Sequence, residues 1–213
     1  MLAAMQSAAP RDQMAAKLVY LIPLIAYLLG SIPFGYLVVK WTAGVDIRSV
    51  GSGNIGATNV FRSSRWAGIL TLLLDGGKGY LAVVCASWLG GDSLWQGVAA
   101  VSAISGHLFS IWLRFKGGKG VATGCGAYLA IAPLAVATTL VIFVATVALT
   151  RFISLASILA TAAFPLWAYL YGEPTVAWVW AIVGSTLIIA RHQQNIRRLL
   201  AGQENRFALG SRS

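Results

Sequence analysis

Residues 120–150 read GVATGCGAYLAIAPLAVATTLVIFVATVALT, 31 positions without one charged side chain. As a single α-helix this stretch would be about 46 Å long at about 1.5 Å per residue, well beyond a hydrocarbon core of about 30 Å. It either tilts strongly or turns back at Pro133, and the basic residues decide between the two. Two helices meeting at Pro133 return Arg151 to the side of Lys119 and give seven crossings for the whole chain. The inner side then collects Lys40, Arg48, Arg62, Arg65, Arg114, Lys116, Lys119, Arg151, Arg191, Arg197, Arg198, Arg206 and Arg212, thirteen of the sixteen basic residues. Only Arg11 and Lys17 fall outside, with Lys78 in the membrane. A single tilted helix would put the five C-terminal arginines outside, against the excess of Lys and Arg in cytoplasmic loops. The sequence therefore predicts an all-α integral membrane protein, a seven-transmembrane-helix bundle with its N-terminus outside and its C-terminus in the cytoplasm. The helix before Pro133 is short, and its turn needs shelter from neighbouring helices.

Composition agrees. Of the 213 residues 58% are hydrophobic and 10% charged, whereas soluble domains carry about 25% charged residues. The other apolar segments are 18–39, bent by Pro23, Gly30, Pro33 and Gly35; 66–91, with Asp75 and Lys78 on one face at i and i+3; 94–113, with His107; 152–172; and 174–190. Residues 1–17 read as a flexible tail, since the apolar stretch after them is too long for a signal peptide and lacks its small-residue cleavage site. Residues 18–207 form a single transmembrane domain, and 208–213 a C-terminal tail. The net charge of +10 is explained by cytoplasmic anchoring, so no nucleic-acid partner is expected. Cys85 and Cys125 lie in apolar segments without a second Cys or His at ligand spacing, which favours packing over a disulfide or a metal site.

Three clusters with unusual chemistry lie on the inner side. The first is the loop 41–65, with Arg48-Ser49-Val50-Gly51-Ser52-Gly53-Asn54-Ile55-Gly56-Ala57-Thr58-Asn59 at its centre and Arg62 behind it. Glycines let backbone approach a ligand, Ser, Asn and Thr offer hydrogen bonds, and arginine offers a charged fork for phosphate. Gly51, Gly53 and Gly56 spell the dinucleotide pattern, with Asp75 19 residues beyond, but that pattern needs a strand, a helix and a second strand, and Asp75 lies in a membrane segment. The second cluster, Arg114-Phe115-Lys116-Gly117-Gly118-Lys119-Gly120-Val121-Ala122-Thr123, joins glycines and a lysine to a helix start, a cradle for phosphate. It lacks the full spacing of a nucleotide-binding loop. The third, Arg191-His192-Gln193-Gln194-Asn195-Ile196-Arg197-Arg198 followed by Gly202 and Glu204, puts His192, Asn195 and Arg191 or Arg198 on one helical face. Glu204 reads as an ion-pair anchor for these arginines. No nucleophile elbow is present, and neither His107 nor His192 is followed by the Asp of the H-x4-D box. His107 alone reads as a hydrogen-bonded packing residue.

At these clusters the sequence resembles the bacterial membrane-bound acyl-phosphate:glycerol-3-phosphate acyltransferases, the PlsY family. The matching strings are Gly30-Ser31-Ile32-Pro33-Phe34-Gly35 with residues 52–59, then 75–79, Gly106-His107 with 115–123, and 192–204. The resemblance implies a seven-helix enzyme of the bacterial cytoplasmic membrane, with its site facing the cytoplasm. It makes lysophosphatidic acid from glycerol 3-phosphate and acyl phosphate, releases phosphate, and needs no acyl-CoA, cofactor or metal. A functional link to the enzyme that makes acyl phosphate is also implied. On this reading His192, Asn195 and Ser52 are catalytic. Arg48, Asn54, Thr58, Asn59, Gly117, Gly118, Lys119, Gly120, Thr123 and Arg198 bind the phosphates, and Glu204, Asp75 and Lys78 give structural support. One departure is visible: Gly76-Gly77 stands where a bulkier apolar residue is expected.

An acyl phosphate is a mixed anhydride and already activated, so direct attack by the glycerol 1-hydroxyl suffices without an enzyme nucleophile. Bringing two anions together costs about 4 kcal/mol for unit charges about 4 Å apart at an effective dielectric of about 20, which Arg48, Lys119 and Arg198 can offset. Either His192 or the glycerol 3-phosphate phosphate takes the proton. A transporter of organic phosphates is the rival reading, but the clusters do not recur in the two halves as inverted repeats would require.

Overall fold

A computed structural model describes residues 18–207. The two tails, 1–17 and 208–213, lie outside the described residues. After a 3-10 turn at Val19–Leu21, the first span runs as α1 (Ile22–Ser31) and α2 (Phe34–Ala43). The two halves are broken at Ile32-Pro33, where proline supplies no amide for the helical ladder. α2 ends on Gly44 in the left-handed region (φ 71°), a conformation that suits glycine. Instead of an open loop, residues 41–65 hold a 3-10 turn at Ile47–Ser49 and the short helix α3 (Ala57–Ser63). Then come α4 (Arg65–Trp88), capped by Ser64, and α5 (Ser93–Leu108), capped by Asp92, whose Oδ1 accepts from Leu94 and Trp95 amides. The third apolar segment leaves the α-helix at Leu108 and continues as a 3-10 turn at Ile111–Leu113. The chain finishes with α6 (Val121–Leu129), α7 (Pro133–Thr150), α8 (Ile153–Leu170), α9 (Thr175–Ala190) and α10 (Gln193–Leu200).

The 31-residue apolar stretch does divide at Pro133, into α6 and α7. Ala132 in the turn is 2% exposed, and the Ala132 and Ile131 amides both donate to the Tyr128 carbonyl, so the non-helical backbone is sheltered and satisfied as lipid requires. Among the described residues five helices, counting each broken span once, are long and apolar enough to cross a membrane, or six if α9 and α10, bent by 60°, count as one. α6, with 9 residues, is about 13 Å long and too short to cross alone. The molecule is a multi-pass, all-helical membrane protein.

Small residues set the helix contacts. A side chain at Gly30 would strike the Ala103 backbone, one at Gly106 the Tyr27 carbonyl, and one at Gly79 the Thr123 carbonyl. The first span, α5, α4 and α6 are thus held at backbone-to-backbone distance, the packing mode that serves where lipid is as apolar as the helices. Gly76, part of the unexpected glycine pair, has a place here: its carbonyl lies where a Cβ on Gly126 would stand.

Candidate functional site

The first cluster is a built loop. Asn59, 3% exposed, donates from Nδ2 to the carbonyls of Val50 and Asn54, both at 2.9 Å, while its Oδ1 accepts from the Ser52 amide at 2.9 Å. Asn54 Oδ1 accepts from the Gly56 amide at 2.8 Å. Both asparagines, read in the sequence as ligand contacts, hold the loop's shape. Gly51 and Gly53 have φ of 57° and 68°, conformations that a side chain would strain. Ser52 and Arg48 are exposed, and Thr58 lies in the first turn of α3. Arg48 is not a free cation: Asp46 accepts from its Nε and Nη2, and its guanidinium stands over the Tyr36 ring at 5.2 Å. Hydrogen bonding to Arg48 holds the Asp46 carboxyl below the usual range.

The second cluster folds back onto the end of α5. The Gly118 amide donates to the His107 carbonyl at 2.9 Å and the Gly117 amide to the Leu108 carbonyl at 3.1 Å. A side chain on Gly118 would meet the His107 ring, and one on Gly117 the His107 and Leu108 carbonyls. These glycines permit close packing, and their two amides are already used. Arg191 straps the loop from the other side, Nε to the Gly118 carbonyl and Nη2 to the Gly117 carbonyl, each 3.4 Å. Gly120, with φ 84°, starts α6, whose first-turn amides at Val121, Ala122 and Thr123 have no carbonyl one turn back within the helix. Thr123 Oγ1 is buried without a partner.

In the third cluster His192 is 1% exposed, with Nδ1 2.8 Å from the Ile188 carbonyl. A carbonyl can only accept, so the proton sits on Nδ1 and Nε2 is left as an acceptor. Burial first, and then the Lys119 charge, push His192 down to about 4, against the opposing Ile188 bond and Glu204. Glu204 ties the tail down. Its Oε1 accepts from Ser154 Oγ at 2.8 Å and Asn195 Nδ2 at 2.7 Å, and its Oε2 from Arg198 Nε at 2.7 Å. Asn195 Oδ1 is buried without a partner.

The second and third clusters meet through the Arg191 strap, and charge links them to the first. Burial pulls Lys119 down to about 8, Glu204 opposes this, and Arg198, Arg62 and Arg191 reinforce it. Lys119, in the second cluster, thus feels cations of the first and the third, in a positive, half-buried place suited to phosphate. An apolar groove of about 70 Å³ lies between α6, α7, α8 and α9, lined by Val121, Gly124, Cys125, Thr139, Phe164 and Ile188 among others. The groove and the cation cluster share elements: Val121 follows Gly120, and the Ile188 carbonyl holds His192. Tyr128, also in the lining, packs on Phe164 at 4.7 Å and is bonded through its hydroxyl to the Trp180 carbonyl.

Residues 20–202 match the family model described as glycerol-3-phosphate acyltransferase. A glycerol-3-phosphate acyltransferase of Geobacter sulfurreducens is 47% identical over 184 residues, 86% of this chain and 94% of that protein. One of Geobacter metallireducens is 53% identical over 184 residues, 85% and 94% of the two chains. The chain belongs to the glycerol-3-phosphate acyltransferase family. A solved structure of a family member, PlsY (YgiH), described as an integral membrane glycerol 3-phosphate acyltransferase in its glycerol 3-phosphate form, superposes with a TM-score of 0.85 at 40% identity, covering 89% of this chain and 96% of that one. The lysophosphatidic acid form of PlsY gives 0.83 at 39% identity, with 89% and 95% covered.

Within this acyltransferase fold, sequence reasoning passed over Asp46, Ser154 and the strap made by Arg191. Asp46 stands two residues from Arg48, a spacing that offered the signal. Ser154 and Arg191 act across the fold, where sequence gives none. Asp75 and Lys78 do pair, Nζ to Oδ1 at 2.6 Å, and His107 joins them, its Nδ1 2.9 Å from Lys78 Nζ. Among the described residues no group of three His, Cys, Asp or Glu is arranged to hold a metal ion.

Proposed function

We propose that this enzyme transfers an acyl group from acyl phosphate to the 1-hydroxyl of glycerol 3-phosphate, giving lysophosphatidic acid and phosphate, at the cytoplasmic face of the bacterial inner membrane. The observation that carries this reading is the gathering of charge from Arg62, Arg191 and Arg198 on Lys119, two residues before Val121 in the lining of an apolar groove. A donor with an anionic head on an alkyl chain needs both, side by side. The alkyl chain occupies the groove, its phosphate lies against Lys119 and the first-turn amides of α6, and glycerol 3-phosphate binds between Arg48, Ser52 and Arg198. Attack by the 1-hydroxyl on the acyl carbon breaks the bond to phosphate, which leaves with the electron pair. The cations stabilise the charge on the departing phosphate.

The 1-hydroxyl proton goes to the glycerol 3-phosphate phosphate in this mechanism. A phosphate monoester in water has a second pKa of about 6, and burial lowers His192 to about 4, which favours the substrate as the base. His192 Nε2 accepts a hydrogen bond from the 2-hydroxyl of glycerol 3-phosphate and so orients the molecule, leaving the 1-hydroxyl hydrogen free to pass to the phosphate. Residues 18–207 are the catalytic unit, with seven crossings, one of them made by α6 together with the non-helical segments on either side of it, N-terminus outside and C-terminus inside. The basic residues around α3, α6 and α10 support this orientation. The reading also places the protein after an enzyme that supplies acyl phosphate.

Purified protein in lipid nanodiscs, given palmitoyl phosphate and glycerol 3-phosphate, should form lysophosphatidic acid and phosphate in equal amounts, and palmitoyl-CoA should not replace the donor. No product from acyl phosphate, together with glycerol 3-phosphate uptake into proteoliposomes, would sink the reading.

A further inference from the structure

The buried ionisable group Asp75, Lys78 and His107 makes no hydrogen bond to the cations above and takes no part in the reaction as described. The three side chains are 1%, 3% and 4% exposed, and a charge at such depth is costly unless paired. Lys78 Nζ donates to Asp75 Oδ1 on α4 at 2.6 Å and to the Ile32 carbonyl at the break of the first span at 2.7 Å, and lies 2.9 Å from His107 Nδ1 on α5. The three hydrogens of one ammonium are thereby spent on three different segments. An apolar replacement of such a pair is often neutral for stability, so stability alone is a poor reason for the arrangement.

Its two outer ends reach the two phosphate-facing loops. Beyond Ile32, α2 begins, and there Gly35 lies against the Ile55 carbonyl so closely that a side chain would collide with it. Ile55 follows Asn54 in the first loop. Beyond Lys78 on the other side, the His107 ring abuts Gly118 and its carbonyl accepts the Gly118 amide, immediately before Lys119. A second tie holds the same break: Ser110 Oγ donates to the Ser31 carbonyl at 2.6 Å.

We propose that Lys78 is a positioning residue that sets the first loop, with Arg48 and Ser52, in register with the second loop, with Lys119, acting through Ile32 on one side and His107 on the other. This rests on the acyltransferase reading for its kinetic consequence, but its structural consequence does not. Two phosphates that repel each other must be held at one fixed separation for attack, and a misplacement of about 1 Å can cost about 10²-fold in rate. A charged hub with fixed hydrogen-bond directions holds such a separation better than apolar packing, which tolerates sliding.

The test uses the double variant Asp75→Asn/Lys78→Met, which removes both charges together and leaves none unpaired. Hydrogen exchange of the detergent-extracted, monodisperse protein should quicken at least about tenfold in peptides covering 47–59 and 114–120, with peptides of α7 and α8 unchanged. kcat/KM for glycerol 3-phosphate should fall at least about tenfold in the wild-type background but much less in a Lys119→Ala background, since residues that act through one another are not additive. Unchanged exchange in both loops overturns the proposal, and so does a fully additive cycle, which is the signature of general damage. If the double variant does not extract, His107→Asn keeps the ion pair and removes only the ring against Gly118, and is held to the same outcomes for 114–120. Wild-type protein without acyltransferase activity would sink the functional reading, while the exchange measurement would still decide on Lys78.

Discussion

Arg48 is forked onto Asp46, with Nη2 2.7 Å from Oδ2 and Nε 3.0 Å from Oδ1. The exposed arginine proposed to bind phosphate is thus held in one direction by a carboxylate two residues away, and it pays part of its charge for that order. Arg48→Ala should lower kcat/KM for glycerol 3-phosphate by at least about tenfold, the worth of one charge-assisted hydrogen bond of about 1.5–3 kcal/mol. Asp46→Asn keeps the cation and loosens it. Its effect should be smaller, and its activity should be more sensitive to salt, because an untethered surface charge is more fully screened. Steady-state kinetics at two ionic strengths decide this, and equal losses in the two variants would show that Asp46 matters as much as the arginine.

Topology is testable by cysteine labelling, with the probe sites chosen from the structure. Gly118 would be the natural inner site, but any side chain there meets the His107 ring. Lys116 is exposed and serves instead. In a Cys85→Ala/Cys125→Ala background, a membrane-impermeant thiol reagent applied outside should label Ser93→Cys and Glu173→Cys but not Lys116→Cys until the membrane is opened. Labelling of Lys116→Cys in sealed cells would reverse the map.

Donor chain length should respond to the groove. Cys125 lines it together with Val121, Tyr128 and Phe164. Cys125→Phe should exclude roughly two methylenes, each worth about 0.8 kcal/mol when buried, and so reduce kcat/KM for palmitoyl phosphate about tenfold relative to a short-chain acyl phosphate. Competition between the two donors in one vessel reads the ratio directly, and an unchanged ratio would place the chain elsewhere.

How far sequence alone reached depended on range. The turn at Pro133 and the break at Pro33 were legible because proline and the charge map are local signals. The Asp75 and Lys78 pair was legible because i and i+3 share a helix face. The third member, His107, was not, since its meeting with Lys78 is fixed by how deeply α4 and α5 slide past one another, which the small residues between them set and no local pattern reveals. The glycines of the second cluster were read as making room for an anion. Gly117 and Gly118 instead make room for the end of α5, a distinction that needs the third dimension. Asn59 was read as a ligand contact for the same reason: its three backbone partners lie 5 to 12 residues away, within a loop whose path sequence does not give.

Lys119 gives the pH dependence of the free enzyme. Burial and the neighbouring arginines lower it to about 8, and the protonated form is the one that attracts phosphate. kcat/KM should therefore fall as pH rises through about 8. The bound anion favours the ammonium, so the corresponding limb in kcat should move to higher pH. Lys119→Arg retains a cation that does not titrate in this range and should remove the alkaline limb. A limb that persists in Lys119→Arg would have to be assigned to another group.

His192 separates orientation from proton transfer. Its folded value of about 4 lies below the ordinary 6.5, so the unfolded chain binds the extra proton between those limits. Its contribution to stability is therefore complete above about pH 6.5 and is lost as pH falls through about 4. Glu204, also lowered, contributes in the same sense but only below its own ordinary value of 4.5, so His192 is read from the difference between the wild type and a His192 variant over the interval from about 6.5 to 4.5. His192→Gln keeps an amide able to donate to the Ile188 carbonyl and cannot titrate. Its Tm should fall less than that of the wild type across that interval. In catalysis, a histidine that orients the substrate through its 2-hydroxyl should contribute to kcat, while the 1-hydroxyl proton is taken by a phosphate whose second pKa is about 6. His192→Gln should thus turn over more slowly, by about tenfold or more, and keep the wild-type acid limb near that value. Were the imidazole itself the base, typically worth about 10² to 10⁴ in rate, its removal would flatten the acid limb as well, and proton removal would have to be returned to His192.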